Sequence, residues 1–324
     1  MLLNQVFTLN PKIQSLLNTL EGQKTAFHLI PVKPAITINL RRHSLLGSAR
    51  FSARIEGIVH DSDTNKLAIQ NLENTYTWLY TQPTTIPLDL NFLKTLHAKS
   101  LHNLRSDAGQ FRTEQSAIFN SAGIAVYLTP PPQDIIPLLS SWQLQGSVLC
   151  KTIISHYQFE KIHPFLDGNG RVGRLILTQQ LRRINFDFSG LLSLEEKIDQ
   201  TRDDYYYHLQ NESRDVTAFI EYFLSLMVDS ASQVLTKISQ PHDLSTASTL
   251  LPRRQELLNI IADHSPCSFD FLHRRFMAIP ASTLRYDLLN LQRKNLITKL
   301  GVTRGALYST RIQSSPSLPE SDSS

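Results

Sequence analysis

Apolar residues recur at helical spacing along most of this chain. Between residues 66 and 80, Leu67, Leu72, Tyr76, Leu79 and Tyr80 form one stripe, and Pro83 and Pro87 mark its end. Asp89 then stands as an N-cap before Leu90, Phe92, Leu93, Leu96 and His97, which predicts a second helix. Residues 147–160 are apolar on nearly every side, through Val148, Leu149, Ile153, Ile154 and Tyr157, as in a helix buried inside a bundle. Val172, Leu175, Ile176, Leu177 and Leu181 predict another helix, and residues 195–210 and 219–228 two more. An earlier helix is expected around Glu56. Residues 1–40, punctuated by Pro11, Pro31 and Pro34, read as a loosely structured leader.

The helical pattern breaks twice. Between Asp107 and Pro132 it gives way to short segments: Ala117-Ile118-Phe119, a turn at residues 120–123, and Ile124-Ala125-Val126-Tyr127, a β-hairpin. Residues 236–252, rich in Ser, Thr and Pro, read as a linker. Beyond it the spacing predicts helices at 253–264, 269–276 and 282–294, the last capped by Ser282, and two short strands at 295–301 and 303–309. The Ser-, Pro- and acid-rich tail 312–324 is expected to be disordered. The expectation is therefore a mainly α chain with one hairpin and a separate C-terminal unit.

Composition narrows the class. At 324 residues with 41% hydrophobic positions, the chain has material for two or three compact units. Cys150 sits in an apolar stretch and Cys267 follows a proline, which argues against a disulfide framework and for a reducing compartment. No apolar run reaches membrane-spanning length, and Met1-Leu2-Leu3-Asn4-Gln5 lacks the basic start of a signal peptide, so a cytoplasmic protein with no membrane partner is expected. A net charge of +4 is mild, and any nucleic-acid affinity must come from local clusters.

The candidate chemistry is concentrated in His163-Pro164-Phe165-Leu166-Asp167-Gly168-Asn169-Gly170-Arg171-Val172-Gly173-Arg174. His163 is the side chain there that can take a proton near neutral pH. Asp167 can hold a divalent cation together with phosphate oxygens. Gly168 and Gly170 let backbone amides approach an anion at the amino end of the following helix. Arg171 and Arg174, three residues apart, complement a helix dipole poorly and make sense in front of a polyphosphate.

At every defining position this stretch resembles the HPFx(D/E)GNGRxxR signature of the Fic family, whose members mostly transfer AMP from ATP to protein hydroxyls. The resemblance implies that His163 is general base, that Asp167 holds Mg2+, and that Gly168, Asn169, Gly170, Arg171 and Arg174 hold the ATP phosphates. Gly168, in place of a bulky basic residue, favours AMP transfer over phosphorylation. Ser52-Ala53-Arg54-Ile55-Glu56-Gly57 resembles the (S/T)xxxE(G/N) inhibitory motif of self-restrained members, with Glu56 reaching Arg174 where the γ-phosphate belongs. Read without the downstream motif, Ser52 and Glu56 are equally an ordinary polar helix face.

The same resemblance makes the hairpin a flap that aligns a target backbone, with Ile118 as the candidate clamp, although Asn120 stands where a glycine is usual. It also makes Tyr205 and Tyr206 an adenine pocket; plain core packing is the equal alternative for this pair. Implied boundaries are 1–87 for an N-terminal region with the inhibitory helix, 88–235 for the catalytic core and 253–311 for the last unit. The implied partners are ATP and a Ser, Thr or Tyr hydroxyl of a target or of the chain itself. Removal of AMP, with Glu56 orienting a water, stays open, as does a homodimer.

The order of elements after residue 252 resembles a winged helix-turn-helix, which leaves Thr283, Arg285, Tyr286, Arg293, Lys299 and Arg304 available to DNA. Winged helices also bind proteins, so the alternative function is a nucleotide-sensing transcriptional regulator.

Overall fold

The computed structural model describes residues 4–32, 34–59, 61–119, 125–142, 149–211, 213–239, 250, 252–277, 279–301 and 305–310. The chain divides into two units, Met1–Gln240 and Pro241–Ser324. The first contains α1 (Pro11–Leu29), α2 (Pro34–Ile55), α3 (Asp63–Thr81), α4 (Leu90–Ser100), β1 (Ala117–Phe119), β2 (Ala125–Leu128) and α5 (Ile135–Ser141). It continues through α6 (Leu149–Ile162), α7 (Asn169–Arg183), α8 (Leu194–Gln200), α9 (Arg202–Gln210) and α10 (Thr217–Ser239).

Two apolar cores organise this unit, and α6 and α7 belong to both. Ile153 and Tyr157 of α6 with Leu177 and Leu181 of α7 face Ile13, Leu20, Phe219, Phe223 and Met227. Phe159, Ile162, Val172, Leu175 and Ile176 face Ala49, Ala53, Leu72, Tyr76 and Leu96 instead. A helix pair apolar on opposite faces is clamped from both sides, and the short loop joining α6 to α7 inherits that rigidity. This is why 163–168 can serve as a platform.

The amino-terminal segment corrects the leader expectation. Residues 11–29 form α1, which packs along α10, and Ile13 and Leu20 are fully buried. Asn10 Oδ1 accepts the Ile13 N–H at 2.9 Å and Pro11 opens the helix, where its missing N–H costs nothing. The prolines taken as loop punctuation are helix starts; Pro34 opens α2 in the same way. Asp89 caps α4 as its position demands, accepting the Phe92 N–H at 2.8 Å. The single helix expected over 195–210 is split at Thr201, whose backbone leaves helical geometry while its hydroxyl bonds Tyr222 at 2.7 Å. The helix expected over 219–228 extends to Ser239 and so takes 236–239 out of the expected linker. β1 and β2 pair antiparallel, Ile118 opposite Tyr127; the turn at 120–124 lies outside the described residues.

The second unit holds α11 (Pro252–Asp263), β3 (Cys267–Ser268), α12 (Phe269–Arg275), α13 (Ala281–Arg293), β4 (Ile297–Leu300) and β5 (Leu307–Thr310). The strands form one antiparallel sheet in the order β3-β5-β4. Its core is Leu257, Ile261, Leu272, Leu284, Leu288, Leu291, Ile297 and Tyr308. Asp287 is fully buried and accepts from Arg253 Nε at 2.5 Å and Arg254 Nε at 2.7 Å. Burial works against its charge, but the two guanidinium groups hold its carboxyl below the usual range. Ser282 does not cap α13: the helix already begins at Ala281 behind Pro280, without a side-chain cap. Linker residues 240–249, Thr303, Arg304 and the tail 312–324 lie outside the described residues. No helix among the described residues is long and apolar enough to cross a membrane.

Replacing Asp89 with Ala removes the α4 cap without touching the core. We expect a loss of about 1 kcal/mol in urea unfolding of the first unit, with the denaturant slope unchanged.

Candidate active site

α6 ends at Ile162, and His163 turns the chain with φ +49°, a left-handed conformation that side chains other than glycine usually avoid. Its Nδ1 lies 3.2 Å from the Glu160 carbonyl, which can only accept. Nδ1 therefore carries the ring proton and Nε2 keeps its lone pair. Burial pushes the imidazole pKa down to about 4, so the ring is a neutral base at physiological pH.

The loop that follows is held by residues with no chemistry of their own. Asn169 accepts the Phe165 N–H and donates to the Phe165 carbonyl, both at 2.8 Å. That corrects its expected role: the Asn169 side chain is buried and spent on the loop, and only its backbone amide remains for an anion. His97 stacks face to face on Phe165 at 3.8 Å and accepts the Gly109 N–H on Nδ1 at 2.7 Å. Its Nε2 then donates to the Asp167 carbonyl at 3.0 Å, and burial lowers its pKa to about 4. Reading the sequence treated His97 only as a residue on an apolar helix face. Its loop contact is set by a residue 70 positions away, which no local pattern displays.

Asp167 Oδ1 accepts the Gly168 N–H at 2.6 Å and pairs with Arg171 Nη2 at 3.0 Å, while the carboxylate stays half exposed. Among the described residues no three His, Cys, Asp or Glu side chains converge as a metal site. A divalent ion held by Asp167 must therefore take its other ligands from phosphate and water, the arrangement Mg2+ favours. Gly168 opens α7 with φ +76°, and no side chain caps the helix. A Cβ there would stand 3.0 Å from Leu101, so both space and conformation require glycine. The amino end of α7 is thereby an open anion cradle.

A carboxylate of the chain itself lies in that cradle. Glu56 Oε1 would stand 2.4 Å from a Cβ added to Gly170, and it accepts from Arg174 Nη2 at 2.8 Å. Ser52 completes the grip: its Oγ accepts Arg174 Nε and its carbonyl accepts Nη2, both at 2.9 Å. Burial works against the charge of Arg174, which is 1% exposed, and the Glu56 carboxylate overturns that and raises its pKa. Glu56 does not sit inside a helix as expected; it is the residue just past α2. Gly57, at φ +76°, donates to Arg54 O at 2.8 Å and Ile58 N donates to Ala53 O at 3.0 Å, a Schellman closure. Gly57 ends the helix where Glu56 must project.

Behind the cradle lies a second carboxyl that the sequence reading passed over. Glu160 is buried, its Oε1 has no hydrogen-bond partner among the described residues, and burial pushes its pKa up to about 8. A Cβ at Gly173 would stand 2.0 Å from that oxygen, which explains the glycine between the two arginines. The tyrosine pair separates. Tyr205 is buried with its hydroxyl 2.9 Å from His156 Nε2, so its ring is core and is not available to stack on a base. Tyr206 is partly exposed and donates to the Ile55 carbonyl at 3.4 Å, beside the end of α2. Ile118 lies on β1, and its side chain is outside what the structure describes.

Residues 87–181 match the model of the Fic/DOC family. The chain belongs to the Fic family. Over 56 residues this Fic chain is 46% identical to a probable protein adenylyltransferase of Aquifex aeolicus, covering 15% of the chain and 18% of that relative. Over 140 residues it is 29% identical to protein adenylyltransferase fic-1 of Caenorhabditis elegans, covering 42% of the chain and 26% of that relative. The chain thus spans about a quarter or less of the curated relatives it matches. Among solved structures, a Fic family protein from Desulfovibrio desulfuricans aligns with TM-score 0.60 and 21% identity over 95% of this chain and 98% of that one. Fic-1 of Caenorhabditis elegans aligns with TM-score 0.54 and 16% identity over 70% and 71%. At these identities the structures establish the fold.

The buried titratable groups set a pH optimum for stability. Burial lowers His97 and His163 to about 4 and His156 to about 3. As pH falls below about 6.5 the unfolded chain binds protons that these rings refuse, so stability is lost on the acid side. Glu160 acts oppositely: the folded chain keeps a proton up to about pH 8 that the unfolded chain releases near 4.5, so stability is lost as pH rises. Three rings outweigh one carboxyl below about 6.5, and above it Glu160 acts alone. The thermal midpoint should peak near pH 6.5, and Glu160→Gln should flatten the alkaline side; calorimetry across this range checks both.

Proposed function

We propose that this chain is a protein adenylyltransferase, moving AMP from ATP to a Ser, Thr or Tyr hydroxyl of a target protein or of itself, and that Glu56 holds it off. The observation that carries the reading is the Glu56 carboxylate lying on Gly170 and paired with Arg174 at the amino end of α7. A terminal phosphate needs the same guanidinium and the same amides. Glu56 and a correctly seated triphosphate thus compete for one position.

In the released state His163 Nε2 takes the proton of the target hydroxyl, whose oxygen attacks the α-phosphorus in line as pyrophosphate leaves. Arg174, freed from Glu56, balances the leaving charge, and the amides of Gly170 and Arg171 hold phosphate oxygens. Mg2+ on Asp167, when bound, supplies further charge stabilisation to the phosphates. Tyr206, partly exposed beside the end of α2, is the residue proposed to face the adenine. The hairpin carrying Ile118 is proposed to seat the target backbone as an added strand would. With Glu56 in place, the same site is suited to hold a water against an AMP-modified hydroxyl, which extends the proposal to AMP removal.

The element order of the second unit, with its β3-β5-β4 sheet, supports a winged helix-turn-helix reading. DNA contact through it has less support. Arg253 and Arg254 are committed to Asp287, Arg285 lies 4.2 Å over the Phe269 ring, and exposed Tyr286 and Leu289 place apolar surface on α13. The transferase reading is therefore the one carried forward.

The test is transfer of α-labelled AMP from Mg2+-ATP to protein by wild type, Glu56→Gly, and Glu56→Gly combined with His163→Ala. Labelling is expected to be strong in the single variant and weak or absent in the other two. Absence of label in all three removes the transferase reading.

A further inference from the structure

Arg112 is 3% exposed and reaches the active-site loop from the segment before β1. Its backbone N–H donates to the Pro164 carbonyl at 2.9 Å. Its guanidinium spreads in three directions: Nε donates to the His163 carbonyl at 2.8 Å, Nη1 to the Glu114 carbonyl at 2.9 Å, and Nη2 to the Pro130 carbonyl. Among the described residues, every one of these bonds ends on a backbone oxygen. Burial works against a charge that no carboxylate offsets here, and it lowers the Arg112 pKa. A buried cation held this way is hard to explain as filler, because an apolar side chain of the same length would pack at lower cost.

What the fork connects gives the reason. Glu114 precedes β1 and Pro130 follows β2, so two of its arms hold the two feet of the hairpin. Those feet are also tied to each other: Gln115 Nε2 donates to Thr129 O at 2.6 Å and Thr129 Oγ1 to Ser116 O at 2.7 Å. The third arm holds the carbonyl of His163, whose φ of +49° is a conformation that costs about 1–2 kcal/mol for a residue with a Cβ. A bond from a fixed guanidinium to that carbonyl opposes relaxation of the turn, and the imidazole direction depends on the turn. Lys161, two residues before His163, adds a contact to the same hairpin, its Nζ lying 4.0 Å over the Tyr127 ring of β2.

We infer that Arg112 is a positioning residue that couples the hairpin to His163, so that a target segment seated on the hairpin also sets the direction of the general base. Arg112 touches neither the anion cradle nor Asp167 in this geometry. Its loss should therefore act on the target hydroxyl and the base and leave nucleotide binding alone. The planar fork is essential to this role, because an ammonium group cannot span three diverging carbonyls. The inference rests on the transferase reading, and its test includes a readout that does not.

The experiment compares Arg112→Met, Arg112→Lys and Arg112→Gly in the Glu56→Gly background, with circular dichroism and thermal midpoints to confirm folding. For Arg112→Met and Arg112→Lys, kcat toward protein should fall about 100-fold while KM for ATP changes less than about twofold. Millimolar guanidinium should restore part of the activity of Arg112→Gly but none to Arg112→Lys. The independent readout is the His163 Cε1–H NMR titration. Its midpoint should rise from about 4 toward the ordinary imidazole value in Arg112→Met, because a nearby cation that disfavours the protonated ring is gone. If Glu56→Gly transfers no AMP, the transferase reading fails, and the titration still decides whether Arg112 acts on His163. Folded variants with an unmoved titration and unchanged kcat would overturn the inference, as would an equal loss of ATP affinity.

Discussion

A guanidinium buried to 1% exposure at the amino end of a helix must have an anion beside it, and much of the first unit is arranged around that requirement. Arg174 is pinned by Ser52 through two bonds and neutralised by Glu56. The Tyr76 hydroxyl, buried next to this pair, is satisfied by Glu195 at 2.7 Å, which ties α3 and α8 into the same polar seam between the two apolar cores. An uncompensated buried charge costs several kcal/mol, so Arg174 without Glu56 demands another anion. Inhibition and substrate recognition are then two answers to one electrostatic need.

The stationary and the movable parts of the site are built differently. The loop 163–168 is braced by Asn169 within, by His97 from α4 and by Arg112 from the segment before the hairpin, with backbone atoms as the common target. Glu56 in contrast projects from the very end of α2, beyond the buried Ala49 and Ala53 that anchor the helix, and its side chain keeps 26% exposure. Withdrawing it breaks one ion pair and leaves the helix packing intact. A lock at a helix terminus can be released at far lower cost than one in a helix interior.

Burial also selects protonation states that a solvent-exposed copy of this site would not hold. His163 is kept neutral by burial and by giving its Nδ1 proton to a carbonyl, which frees Nε2 as a base. Glu160, one turn earlier, is kept protonated, so that no second carboxylate competes with Glu56 for Arg174. Exchanging either state would change the charge count of the cradle by one, enough to alter which anion it prefers.

How much of this was legible in advance follows from what local sequence encodes. The base, the lone carboxylate, the cradle glycines and both arginines lie within twelve residues, and the helices beneath them announce themselves through apolar spacing; Asp89 likewise marks its own helix start. Pairing of distant polar atoms is not written in any such spacing. The sequence admitted Asn169 as a phosphate ligand and Tyr205 with Tyr206 as one pocket, and only packing turned Asn169 onto Phe165 and sent Tyr205 inward to His156. Arg174 and Glu56 stand 118 residues apart, and His97 meets Asp167 across 70. Chemistry that depends on neighbours along the chain was therefore fixed by the sequence alone. Chemistry that depends on which buried group satisfies which other waited for the tertiary structure, because that choice is made by the geometry of two shared cores.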